Sequence, residues 1–150
     1  MTDTVRLIIN GPPTPQPRAR IVKRGAFATA YDPHAKQKQD IEREIQRQIT
    51  ARTKTATQGP LFAAGVPISV HMAFYLTVAQ SLTKAKREAK LNGSDLPTGK
   101  GDLDNYAKKF LDCMTGLVYH DDAQVVHLSA SKAYSENPRT EITINRYSNA

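Results

Sequence analysis

Apolar and polar positions along the chain repeat at two periods, and each change of period marks an element. Val5 to Asn10 is a short β-branched run closed by Gly11-Pro12-Pro13, which predicts a first strand. Thr14 to Tyr31 alternates around Arg24-Gly25 and predicts a hairpin or an ordered loop. Asp32-Pro33 reads as a helix start, with Asp32 as N-cap and Pro33 at the first helical position. Ile41, Ile45 and Ile49 then recur every four residues and define one buried stripe, on a helix expected to fade near Thr53. From Pro67 to Thr77 the period falls to two, with Ile68, Val70, Met72, Phe74 and Leu76 on one side, as in a half-buried strand.

The stretch from Ala79 to Gly101 is less regular. Ser81 is placed to cap a short helix, followed by the loop Asn92 to Gly101. A helix from about Asn105 to Gly116 would put Tyr106, Phe110, Cys113 and Leu117 on a common face. Gln124 to Tyr134 and Thr140 to Tyr147 read as two strands, and their closeness in sequence predicts an antiparallel hairpin. The expected fold class is α+β: a single domain over residues 1–150, with a small, mainly antiparallel sheet packed with helices.

Composition narrows the partners. The 150 residues carry a formal charge of +7, which points to a polyanion. The hydrophobic fraction of 39% is ordinary and argues against global disorder. The single cysteine, Cys113, excludes an internal disulfide framework and a multi-cysteine zinc site, and it is expected to pack as a small apolar residue. No run approaches the roughly 20 apolar residues of a membrane helix, and Met1-Thr2-Asp3-Thr4 has no signal-like character, so a cytoplasmic protein is expected. The four histidines lack the pair spacing of a zinc site. The Gly93 to Lys100 loop has too many residues between its glycines for a phosphate loop, and Gly101 where Ser or Thr is required.

Against this basic background, acids gather in one region. Asp102-Leu103-Asp104-Asn105 sets two carboxylates two residues apart; in an extended stretch both would face one side with Leu103 turned inward. His120-Asp121-Asp122 adds more acid between helix and strand. Carboxylates brought together repel, so such a cluster calls for a cation, and oxygen-only ligands suit Mg²⁺ or Mn²⁺. Spacing alone leaves the plain alternatives open: Asp104 as a helix cap, Asp121-Asp122 as turn residues.

The longer string is more specific. Asp102-Leu103-Asp104-Asn105-Tyr106-Ala107-Lys108, Leu111-Asp112, Gly116 through Val125 and then Lys132 together resemble the RusA family of Holliday junction resolvases. That family pairs an Asp-x-Asp-Asn-x-x-Lys helix start with a later Asp-Asp-x-Gln-Val strand start. The likeness extends in outline to the opening strand with its Pro-Pro turn and to the last strand. The chain departs from it with Gly101 in place of a frequent Pro, Cys113 in place of a frequent Ala, and a longer 79–101 segment that could be a helical lid.

The resemblance implies a RusA-like fold and a crossover junction endodeoxyribonuclease, acting as a homodimer on branched DNA in recombination and repair. It makes Asp102, Asp104 and Asp122 the catalytic and metal-binding acids, Lys108 a cation of the same site and Asp121 an adjacent, lesser ligand. Mg²⁺ is the expected cofactor, with Mn²⁺ as the alternative. Two basic strips are the expected DNA contacts: Arg18, Arg20, Lys23 and Arg24, with Phe27 and Tyr31 beside them, and Lys84, Lys86, Arg87 and Lys90. Competing readings are a non-catalytic junction binder and a nuclease for flaps and forks.

Overall fold

The structure is a computed structural model that describes residues 3–16, 20–24, 27–31, 35–53, 59–99 and 101–149; for 20–24 and 27–31 it describes the backbone only. The elements in order are β1 (Thr4–Asn10), β2 (Arg20–Arg24), β3 (Phe27–Tyr31), α1 (Ala35–Thr53), β4 (Ile68–Thr77), α2 (Lys84–Leu91), α3 (Leu103–Met114), a 3₁₀ turn (Asp122–Gln124), β5 (Val125–Ser135) and β6 (Arg139–Arg146). This is the expected α+β fold. The expected hairpin is present as the antiparallel β2–β3 ribbon. The proposed Asp32-Pro33 helix start lies outside the described residues.

The main sheet has the order β1-β6-β4-β5. Its β1–β6 and β6–β4 pairs are antiparallel and its β4–β5 pair is parallel. The expected β5–β6 hairpin is therefore wrong: β4 lies between the two strands. A direct β5–β6 hairpin would leave one side of β4 without ladder partners; instead β4 pairs with β6 from Ile68 to Tyr75 and with β5 from Ile68 to Thr77, so its backbone groups are bonded on both sides. The chain from Ser135 to Arg139 crosses over the end of β4. There Arg139 covers the Tyr75 ring, its guanidinium carbon 4.0 Å from the ring centroid, and donates to Asn137 O at 2.9 Å and Ser135 Oγ at 3.3 Å.

The core forms where α1 and α3 meet the sheet. Ile41, Ile45 and Ile49 of α1 are buried as their spacing predicts, and they join Val5, Leu7 and Ile9 of β1 and Ile142 and Ile144 of β6 in one cluster. On α3, Tyr106, Phe110 and Cys113 point inward, with Phe110 and Tyr106 packed on Phe74 at 5.7 and 5.2 Å between ring centroids. Leu117 is only partly buried and lies in the turn beyond α3. Burial pushes the Cys113 thiol up to about 11, in keeping with its expected role as an inert apolar residue.

Two boundaries differ from expectation. α2 is capped by Thr83 rather than Ser81; the Thr83 hydroxyl accepts from the Lys86 amide at 3.3 Å. α3 starts at Leu103, two residues early, which makes Asp102 its N-cap. Lys109, which the sequence reading passed over, is 1% exposed and donates to Thr14 Oγ1 at 2.6 Å and to Gln37 Oε1, tying α3 to the β1–β2 connection and to α1. Its position was legible: three residues after Tyr106 and four before Cys113 puts it on the buried stripe. No described helix is long and apolar enough to cross a membrane.

Ile45, with no exposed surface, sets a test of this core. Ile45→Ala should lower unfolding stability by about 2–5 kcal/mol, read from the denaturant midpoint at unchanged slope.

Candidate active site

The N-terminus of α3 carries the first acid pair. Asp102 is extended (φ −71°, ψ 134°) and its carboxylate makes no capping bond, while Asp104 lies in the first helical turn. Both are exposed. The expected extended stretch is thus replaced by a helix start, yet Leu103 still packs against the core. The first intrahelical bonds run from the Asn105 and Tyr106 amides to Asp102 O, at 3.0 and 3.2 Å. A helix start of this kind offers partial positive charge to an anion such as phosphate.

Gly101 sets the approach to this corner. Its φ is +101°, and a Cβ there would meet the Tyr106 ring, with Cε2 at 2.8 Å. From β5, Lys132 donates to Gly101 O at 3.0 Å. The acid loop is therefore held from one side by an aromatic ring and from the other by a sheet residue. Lys132 belonged to the family-like string, but nothing in the sequence indicated this bond.

The second acid pair is built differently. Asp121 caps the 3₁₀ turn: its Oδ1 accepts from the Ala123 amide at 2.9 Å, while Gln124 Oε1 accepts from the His120 and Asp121 amides at 2.9 and 3.0 Å. Gln124 Nε2 donates to Ala63 O at 2.8 Å and Val66 O at 3.0 Å, which anchors the turn to the body of the protein. Asp121 thus fills the turn role foreseen for it, and Asp122 is left as the outward acid. The Asp122 carboxyl is held above the ordinary aspartate value, first by its hydrogen bond with Asp121, then by desolvation and by the negative charges of Asp121 and Asp112; Lys108 pulls the other way. Lys108 is exposed, one turn along α3 from Asp104.

These acids are hard oxygen donors whose mutual repulsion a divalent cation would relieve, so their chemistry fits Mg²⁺ or Mn²⁺. Their positions within one chain do not form a finished cage. Among the described residues, no group of three or more His, Cys, Asp or Glu side chains stands close enough to hold a metal ion. Asp102 and Asp104 lie at the start of α3; Asp122 lies past its far end, within electrostatic reach of Asp112 and Lys108.

The basic strips are used unevenly. In the second strip, Arg87 binds Glu136 at 3.1 Å, and Lys90 binds Asp95 at 3.0 Å and sits 4.2 Å over the Tyr134 ring, which docks α2 on the end of β5. Lys84 and Lys86 stay exposed. Arg20, Lys23 and Arg24 lie on β2, with Arg20 and Arg24 on one face of the ribbon by alternation, paired across it with Tyr31 and Phe27. Arg18 falls outside the described residues. A cavity of about 440 Å³ lies elsewhere, lined by Pro12, Thr14, Gln37, Glu44 and Lys109, and includes none of the predicted acids.

A family model described as Endodeoxyribonuclease RusA matches residues 10–145. The chain belongs to the RusA family. It is an endodeoxyribonuclease by that membership, and the match extends the likeness well beyond the C-terminal third. An uncharacterized protein of Bacillus subtilis (strain 168), YqaN, is 34% identical over 148 residues, covering 97% of this chain and 99% of the relative. A protein of Lactococcus phage r1t named crossover junction endodeoxyribonuclease rusA is 34% identical over 84 residues, covering 55% of this chain and 57% of the relative.

Two outcomes follow for the RusA-family corner. Gly101→Ala should cost about 1–3 kcal/mol in thermal or chemical unfolding, because an L side chain there is strained and also crowds Tyr106. Asp122→Asn should raise the melting temperature slightly at neutral pH, with the gain vanishing in acid. The sign follows from the raised carboxyl: its charged form is disfavoured in the fold, a cost that protonation removes as pH falls.

Proposed function

We propose that this RusA-family nuclease resolves four-way DNA junctions by paired, symmetric nicks, using a divalent cation held by Asp102, Asp104 and Asp122 with Lys108 beside them. The observation that supports the reading is that Asp102, Asp104 and Asp122 are all exposed, with Asp102 making no side-chain cap, in a RusA-family chain of charge +7. A protein that only bound DNA would gain nothing from carboxylates exposed toward phosphate. The name of the phage relative, crossover junction endodeoxyribonuclease, supports the junction as substrate.

When bound, Mg²⁺ would lower the pKa of a water and neutralise charge on the phosphate oxygens. The protein's own groups do the rest. Asp102 and Asp104 present carboxylate oxygens at a fixed helix start. Lys108 brings a cation to the same surface, one turn on, where it can offset charge on the scissile phosphate or the leaving oxygen. The open amides of the α3 N-terminus favour a phosphate group there. Asp121 holds the turn that presents Asp122.

Arg20, Lys23 and Arg24 on the ribbon, Arg18 just before it, and Lys84 and Lys86 on α2 are proposed to contact the DNA backbone, which gives salt-dependent affinity with little sequence information. Arg87 and Lys90 contribute through the helix they dock. The α2 segment, the lid of this reading, is anchored to the end of β5 through Glu136 and Tyr134, contacts that an opening would have to break. Paired cuts in opposing strands call for two copies about a two-fold axis.

The decisive variant is Asp104→Asn. Cleavage of a labelled four-way junction in Mg²⁺ should fall on the order of 1,000-fold or more. Binding to the same junction should hold or tighten, because an anion has been removed beside DNA. Parallel loss of binding and cleavage would overturn the reading. Cleavage of flaps and forks at equal rates would replace strict junction specificity with the broader one.

A further inference from the structure

The histidines show no metal-binding spacing along the chain, yet the sheet brings two of them together. Val70, Met72 and Phe74 of β4 turn into the core, so by alternation His71 turns away from it and is exposed. On the neighbouring strand β5, His127 is exposed as well. The parallel register sets Ser69 beside His127 and His71 beside Ser129, which makes the two histidines diagonal neighbours on one face. Their ring centroids are 5.5 Å apart and their planes inclined at 52°. Two imidazole nitrogens held about 2.1 Å from one tetrahedral zinc ion place their ring centres about 5 Å apart, so a small rotation of exposed side chains brings this pair onto a shared ion.

A second observation concerns how His71 is held. Its Nδ1 lies 2.6 Å from Ser129 Oγ, a residue of the strand that carries His127. With the proton on Nδ1, His71 donates to the Ser129 hydroxyl and its Nε2 keeps a free lone pair. Metal-binding histidines use this arrangement: a neighbour bonded to one ring nitrogen fixes the tautomer and the orientation of the other. The neighbours in register, Ser69, Ser129 and Thr143, are uncharged. They set no lysine or arginine against a cation, and they offer no carboxylate to Mg²⁺.

We propose that His71 and His127 form a second metal site, separate from the acids, which takes a borderline transition ion (Zn²⁺, Ni²⁺ or Cu²⁺) on Nε2 of His71 and a ring nitrogen of His127. Ser129 is its positioning residue. Imidazole suits these ions, whereas carboxylate suits Mg²⁺ and Mn²⁺, so the two sites differ in what they accept. They also differ in place. Lys132, which holds Gly101 beside Asp102, pairs with Phe74 and shares its face of the sheet, and the histidines lie on the opposite one. Two protein ligands fall short of a closed site, so the ion keeps positions open to water or to a donor from another molecule.

The test uses the full chain in excess Mg²⁺. Substoichiometric Cu²⁺ should broaden the ring NMR signals of His71 and His127 together, ahead of the other two histidines. By calorimetry, His71→Gln and His127→Gln should each weaken Zn²⁺ binding at least about 10-fold, and Ser129→Ala about 10-fold, with Ser129→Thr restoring it. Circular dichroism and Mg²⁺-dependent junction cleavage should not change. Zn²⁺ binding in the double histidine variant equal to that of the wild type overturns the inference. So does a wild type with no saturable Zn²⁺ binding, or broadening of His71 and His127 no earlier than the other two. Loss of Mg²⁺-dependent cleavage in the double variant would overturn the separation of the two sites. A wild type that cleaves no branched DNA fails the nuclease reading instead, and leaves this site to be judged on its own binding.

Discussion

The packing of α3 on the centre of the sheet is the contact on which the site depends. Tyr106 and Phe110 sit on Phe74, a residue of β4 with no exposed surface. That aromatic contact fixes where the helix begins. Tyr106 also leaves no room at Gly101 for anything but hydrogen, and Lys132, the β5 neighbour of Phe74, bonds the Gly101 carbonyl. Phe74 of the interior strand β4 and Lys132 of its neighbour β5 thus help to locate Asp102 and Asp104 without using their carboxylates, which stay exposed.

The same economy appears at the second acid pair. A helix or turn start usually consumes an aspartate as its cap. Here Asp121 caps and Asp122 does not, and Gln124 supplies the remaining bonds that hold the turn against Ala63 and Val66. Placing two carboxylates in contact is unfavourable, and the Asp121 neighbour holds the Asp122 carboxyl above the ordinary aspartate value. A bound cation would turn that repulsion into affinity.

Much of this was readable from residue order. The Ile41, Ile45, Ile49 stripe, the alternation through Phe74 and the apolar face of α3 each follow from a period that burial enforces. The family likeness named the acids because catalytic residues lie on local motifs. Strand neighbours were not readable in the same way. The short Glu136-Asn137-Pro138 link suggests a hairpin, but β4 pairs with β6 on one side and β5 on the other, so β5 and β6 are separated. The Lys132 to Gly101 bond joins residues 31 apart through tertiary structure, and no local pattern encodes it. Asp102 and Asp104 are both good residues for a helix N-terminus, so residue type alone does not choose between them; in the structure the cap is Asp102 and Leu103 packs against the core.

The central claim, that acids held apart from the folding core act on DNA through a divalent ion, is tested most directly by incubating the purified protein with a four-way junction labelled on all strands. In Mg²⁺ the account predicts paired nicks at symmetric positions in opposing strands, none on linear duplex, and none when EDTA replaces the metal. Cleavage that persists at full rate in EDTA, or a junction left intact in both Mg²⁺ and Mn²⁺, would contradict it.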